Sequence, residues 1–376
     1  MDERNGQEKL IVISIALIGL CITLAGFAVN TILHDEKLVR FIEMVGLFIG
    51  GIGIGGLPVR MILDWLNRRK RRKAGEEVRR LYQKMVIPDP ANRKENLPKL
   101  FAMDIEGCIT PSGRLIIDLV RLQRLRAYCD YAARDQSFPP IVFYTGRSQG
   151  YVELLAQALG MVDDPRDLPC VIESGTALYY PHSKKTVLLG APEQLLEHRR
   201  LMHEVAEILR EKLPKNEFEP KCYMISINPE PKQNVEDLLT KVDRILQQNK
   251  YETDLSAGTV TGKDVKGRFR VTSSASAVDI TPENLTKLSA LQEVVKEAAK
   301  KNIQQQELEG TVAVGDHSND VEVLRVAGKA YCPEDAHGDV LKLVRNRDKN
   351  NVIPQKDIDF VITVIERECG LRIVDR

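Results

Sequence analysis

The chain has 376 residues, a formal net charge of +1 and 43% hydrophobic residues, enough for a sizeable core and more than one folded unit. That near-neutral balance excludes a surface built overall for nucleic acid. Its seven cysteines, at positions 21, 108, 129, 170, 222, 332 and 369, form no Cys-x-x-Cys pair, which excludes a zinc finger and a disulfide framework and suits a reducing compartment.

No charged residue occurs from Leu10 to Leu33, a run longer than the roughly 20 apolar residues that cross a bilayer as a helix. This predicts a first transmembrane span over about 10–33. A second, glycine-rich apolar stretch runs from Met44 to Val59, and a snorkelling Arg60 with Trp65 at the interface extends it to a span over about 44–66. Gly46 and Gly50, like Gly51 and Gly55, lie four apart and let helices approach closely. The second span is therefore expected to pack on the first or to mediate self-association with another copy. The mixed-charge leader Met1–Lys9 and the long apolar core argue against a cleavable signal peptide. Basic residues fill Arg68–Lys73 directly after the second span, whereas the loop His34–Arg40 holds only Lys37 and Arg40. Positive residues stay inside, so both termini are expected in the cytoplasm, with residues 1–73 a two-span hairpin in the lipid bilayer. Val78, Leu81, Tyr82 and Met85 then recur at helical spacing before Pro88, Pro90 and Pro98, which predicts a short helix and an extended tether in a linker over 74–98.

Three apolar runs follow, each stopping at a polar cluster: Leu100–Met103 before Asp104-Ile105-Glu106-Gly107, Ile141–Tyr144 before Thr145-Gly146-Arg147, and Thr311–Val314 before Gly315-Asp316-His317-Ser318-Asn319-Asp320. Runs of this length without polar alternation read as strands buried on both faces of a parallel sheet. Ligands of such sheets bind beyond the carboxyl ends of the strands, where these clusters would converge. Asp104 and Glu106, two apart at a turn, supply one carboxylate to attack phosphorus and one to move protons. Asp104 and Asp316 offer hard oxygens that suit Mg²⁺, with Asp320 supporting them from behind. Thr145 presents a hydroxyl and Arg147 a forked cation to phosphate or substrate.

Taken together, Asp104-x-Glu106-Gly107, Thr145-Gly146-Arg147 and Gly315-Asp316-x-x-Asn319-Asp320 resemble the first, second and fourth motifs of haloacid dehalogenase (HAD) superfamily phosphatases, over about Leu97 to the C-terminus. The resemblance implies a Rossmann-like doubly wound α/β core, an aspartyl-phosphate intermediate on Asp104, and Mg²⁺ held by Asp104, Glu106, Asp316 and Asp320. It also implies phosphate binding by Thr145, Gly146, Arg147 and Asn319. The third motif is a lysine, and Lys287 in Asp279–Leu291 fits its strand, turn, lysine and helix pattern, with Lys263 and Lys266 as rivals. Leu288 replaces a common glycine there, and Glu106 replaces the commoner Asp. Enolase-phosphatases of the same superfamily carry a similar Asp-Ile-Glu-Gly.

About forty residues separate Asp104 from Thr145 and well over a hundred separate Thr145 from Lys287, so an inserted cap belongs to the second interval. Val171–Tyr180 resembles the family's strand from core to cap. Helical periodicity marks Pro192–Leu213 and Val235–Gln248, and strand-like segments lie at Cys222–Ile227, around Tyr251–Val260 and around Arg268–Val278. The expected organisation is core over 99–175, a small α+β cap over 176–278, and core again over 279–376. The cap is similar to those of sugar-phosphate, phosphoglycolate and mannosylphosphoglycerate phosphatases, and Lys263, Lys266, Arg268 and Arg270 are its candidate readers of the leaving group. The expected activity is a membrane-anchored, Mg²⁺-dependent phosphatase of a small phosphorylated metabolite. A phospho-ligand sensor with little turnover and a phosphotransferase or mutase are the alternatives. Thiol labelling from outside intact cells is expected to reach His34→Cys and to miss Ser112→Cys; the reverse pattern would overturn the topology.

Overall fold

The computed structural model describes residues 80, 82, 84–88, 96–111, 118–190, 192–256, 266–274, 276–303 and 307–374. Five parallel strands form one sheet in the order Val352–Ile353, Lys329–Pro333, Thr311–Val314, Leu100–Met103, Ile141–Phe143. Leu100–Met103 and Thr311–Val314 are buried along their whole length, as their unbroken apolar runs require. Phe101, Met103, Val312 and Val314 join one hydrophobic cluster with helices Leu119–Arg134, Gln149–Leu159 and Asp357–Cys369. Leu100, Ala102 and Ala313 join the other, with helices Lys287–Lys300, Val321–Val326 and Gly338–Arg347. Alternate side chains thus feed opposite helical layers, and the sheet is doubly wound. From Leu100–Met103 the neighbouring strands lie early in the chain on one side and late on the other, so the switch point of the sheet falls where that strand ends.

A second sheet has the order Glu217–Phe218, Ile225–Asn228, Val278–Pro282, Gly267–Ser273, Tyr251–Thr253, antiparallel except for its last pair. Helices Pro192–Lys212 and Val235–Gln248 cover one face, and Ile225, Ile227, Phe269, Val271, Val278 and Ile280 point into that layer. The two-residue period leaves Ser226, Arg270, Asp279 and Thr281 on the other face.

Several expectations change. Val171–Tyr180 is two antiparallel strands, Cys170–Ile172 and Ala177–Tyr180, joined by a tight turn over Glu173–Gly175 and followed by a third strand, Lys185–Leu188. The boundary expected at 278/279 falls inside strand Val278–Pro282, because Asp279 pairs with Ser226 and Thr281 with Arg270 in the second sheet. The tether is partly folded: Val86–Pro88 pairs antiparallel with Leu371–Ile373, and Met85 and Val86 are buried in the first cluster. A partner nearly 300 residues away cannot be inferred from local spacing. The spans expected over 10–33 and 44–66, their basic flank and Lys263 lie outside the described residues. Among the described residues no helix is long and apolar enough to cross a membrane.

Gly175 stands at φ +103°, and a Cβ there would lie 2.2 Å from the Thr286 carbonyl oxygen, beside Lys287. Gly175→Ala is expected to cost at least about 1–3 kcal/mol in denaturant unfolding from the backbone alone. Gly150→Ala, whose Cβ would meet nothing within 4 Å, should stay close to the parent.

Candidate active site

The parallel register brings the three strand-end clusters side by side. The Asp104 N–H donates to the Val314 carbonyl at 2.9 Å, and the Thr145 N–H to the Val171 carbonyl at 3.1 Å. Beyond Thr311–Val314 the chain wraps around the Asp320 carboxylate, whose Oδ2 accepts the N–H groups of Asp316 and His317, each at 3.1 Å. Gly107, at φ +67°, lets the first cluster meet the last, since a Cβ there would fall 2.0 Å from Asp316 Oδ2.

Lys287 opens its helix behind a Thr286–Ser289 capping box and extends into the centre of the site. Its Nζ donates to Asp104 Oδ1 at 3.1 Å and to Asp320 Oδ1 at 2.8 Å, and the side chain is 5% exposed. Of its rivals, Lys266 pairs with Glu204 at 3.2 Å on an exposed face, and Lys263 lies outside the described residues. The lysine among the acidic clusters is therefore Lys287.

Ligand oxygens of Asp104, Asp316 and Asp320 lie within 4.8 Å of one another, and all three residues are buried. One lysine cannot balance three carboxylates. Burial first, then the neighbouring carboxylates, raise Asp104 and Asp316 above the usual carboxylate range, with Lys287 pulling the other way. Burial works to lower the Lys287 pKa, and Asp104 and Asp320 together overcome it and raise it. Such a surplus of buried, hard, anionic oxygen fits a divalent cation such as Mg²⁺. Asp104 and Asp316 have oxygens to offer it, whereas both oxygens of Asp320 already hold Lys287 and the loop. Asn319 Oδ1 lines the same cleft, buried and without a hydrogen-bond partner.

Two expected roles are not what the geometry shows. The Glu106 carboxylate is not part of the acidic cluster; it accepts from the Arg147 guanidinium. Arg147 in turn lies over the Tyr151 ring, 5.3 Å from its centroid, so it is engaged by Glu106 and Tyr151 instead of standing free for phosphate. Opposite charges at adjacent strand ends pair unless something intervenes, and spacing along the chain does not reveal that competition. Thr145, 1% exposed, and Gly146 do line the cleft.

The opposite wall of the cleft comes from the second sheet and its leading loop: Glu219, Lys221, Ser226, Ser276 and Asp279. Lys221 Nζ donates to the Gly146 carbonyl at 2.9 Å and pairs with Glu219 at 2.9 Å. Asp279 Oδ2 lies 3.4 Å from where a Gly146 Cβ would stand, and burial pushes its carboxyl up to about 6 against the pull of Lys221. The buried Glu173 carboxylate accepts the N–H of Cys222 at 3.0 Å and of Tyr223 at 2.6 Å, holding this loop against the core. Sequence reasoning missed these residues. The signal was present in Ile225-Ser226-Ile227 and Val278-Asp279-Ile280, where single polar residues interrupt buried apolar ones. The basic residues chosen instead lie off the cleft: Arg268 pairs with Glu252 at 2.8 Å, and Arg270 with Glu322 at 2.9 Å.

A family model described as haloacid dehalogenase-like hydrolase matches residues 194–357, a stretch that contains Lys287 and Asp316 but neither Asp104 nor Thr145. A HAD/COF-like protein from Plasmodium vivax superposes with a TM-score of 0.51 at 13% identity, covering 73% of this chain and 96% of that one. A haloacid dehalogenase-like hydrolase from Bacteroides thetaiotaomicron gives a TM-score of 0.50 at 15% identity, with coverage of 72% and 99%. The sucrose-phosphatase from Synechocystis, solved with sucrose and phosphate, gives 0.48 at 15% identity, with coverage of 72% and 98%. No curated protein matches the sequence significantly. The family match, the sheet order and the two superpositions at or above 0.50 agree, and the chain carries the haloacid dehalogenase-like hydrolase fold.

Proposed function

We propose that the chain is a Mg²⁺-dependent phosphomonoesterase acting on a small phosphorylated metabolite such as a sugar phosphate. The observation that carries this reading is the buried contact of Lys287 with Asp104 inside an acidic cluster at the sheet's switch point. Asp104 attacks phosphorus, the bond to the leaving oxygen breaks, and Glu106 supplies that oxygen with a proton. Water then attacks the aspartyl phosphate, giving its proton to Glu106 and releasing Asp104. Lys287, Thr145 and Asn319 hold the phosphoryl oxygens, while Arg147 positions the Glu106 carboxyl between steps. Mg²⁺ bound by Asp104 and Asp316 would lessen the repulsion between the carboxylate and the incoming dianion. The hydroxyls of Ser226 and Ser276 and the carboxylate of Asp279 suit a hydroxyl-rich leaving group, which supports the sugar-phosphate class. The charge-free run Leu10–Leu33 and the basic run after residue 67 support a two-span anchor with this body in the cytoplasm.

A second reading, a membrane-tethered sensor of phosphorylated ligands with little turnover, draws on the Glu106–Arg147 ion pair, which occupies the acid/base group. Mutagenesis separates the two. Asp104→Asn is expected to abolish release of p-nitrophenol from its phosphate ester, and Glu106→Gln to lower kcat by roughly 10²- to 10⁴-fold. Glu106→Asp is expected to be slower as well, the site being fitted to the longer side chain. A rise in kcat for Glu106→Asp would favour the sensor.

Lys287→Met would strand Asp104 and Asp320 without their cation. Breaking a buried ion pair in this way is expected to cost about 3–5 kcal/mol in urea unfolding. Added Mg²⁺ should recover part of it through Asp104 and Asp316. A loss below about 1 kcal/mol would contradict the central place given to Lys287.

A further inference from the structure

A second cavity, about 320 Å³, is lined by the loop Glu219–Met224, and Glu219, Lys221 and Ser226 contribute both to it and to the acidic cleft. It forms where the chain enters and leaves the second sheet with its helices: Leu189 follows strand Lys185–Leu188, and Pro282 and Leu285 lead back to the Lys287 helix. Its size falls in the range of small-molecule sites. Leu189, Met202, Ala206 and Met224 give it an apolar wall. Arg199 and Arg210 stand about three turns apart on helix Pro192–Lys212, on either side of Met202 and Ala206. Neither makes an ion pair among the described residues, and Arg210 lies over the Phe218 ring at 5.2 Å. His198 Nδ1 is buried without a hydrogen-bond partner. Among the lining residues the carboxylate of Glu219 is already paired with Lys221.

We propose that this cavity is a binding site for an amphipathic organic anion, an apolar chain or ring bearing one carboxylate. The apolar wall would take the body, since burying apolar surface supplies the affinity. Arg210 would take the carboxylate, its guanidinium fork matching the two oxygens. A purely apolar ligand would leave the Arg210 guanidinium without an anionic partner, and a small inorganic anion would leave the apolar wall wet.

Cys222 provides a reporter. It lines the cavity and is exposed, whereas the cysteines at 108, 129, 170, 332 and 369 are buried. The rate of iodoacetamide modification at Cys222 in the full-length protein, followed by peptide mass spectrometry, is measured with octanoate, 1-octanol or sulfate. Octanoate is expected to slow the reaction at least about fivefold at saturation, with 1-octanol and sulfate having little effect. Ala206→Trp, which fills the cavity, and Arg210→Glu, a change at an exposed position, should each abolish the octanoate effect. Equal protection by 1-octanol would overturn the proposal, as would no protection by octanoate, or protection that persists in both variants. Because the readout needs no turnover, it decides this site whether or not the chain proves to be a phosphatase.

Discussion

A single buried ammonium ties the site together. Lys287 reaches from the start of a helix to carboxylates at the ends of two parallel strands, joining segments 183 and 33 positions away. In so dry a place an ion pair stabilises little relative to an apolar contact of the same volume, yet losing one partner is costly because the remaining charge is stranded. The lysine is thus better understood as fixing where the acidic groups stand than as holding the domain together. Its incomplete neutralisation of three carboxylates leaves the anionic surplus that a divalent cation would complete.

Around that contact the two sheets contribute different chemistry because they are patterned differently. The parallel sheet is apolar on both faces, so its polar residues gather at the strand ends. The second sheet buries one face under helices Pro192–Lys212 and Val235–Gln248, and its alternation turns Ser226 and Asp279 toward the strand ends of the first. Glu173 holds the two together by accepting backbone N–H groups from Cys222 and Tyr223. The same loop forms one wall of the cleft and one wall of the second cavity, which makes residues 219–224 the structural link between them.

Much of the sheet was legible beforehand. Leu100–Met103 and Thr311–Val314 have the bounds expected, because a four-residue apolar run fenced by polar clusters admits few other readings. Helix Val235–Gln248 has its expected bounds as well, and Asn234 caps it by accepting from the Asp237 N–H. The pairing of Val86–Pro88 with Leu371–Ile373 was not legible, nor was the turn at Glu173–Gly175. The first depends on a partner at the other end of the chain; the second places Glu173, Ser174 and Gly175 at positive φ, which composition does not announce.

The sequence by itself determined which residues could do chemistry, because acids, a threonine and glycines placed directly after buried strands must emerge at one edge of a parallel sheet. Tertiary structure alone decided how they pair. It brought Lys287 to Asp104, turned Glu106 to Arg147, and put Lys221 and Asp279 against Gly146. Which opposite charges meet is settled by distances of a few ångströms between segments far apart in the chain, and Coulomb attraction falls off with exactly the separation that sequence spacing leaves undefined.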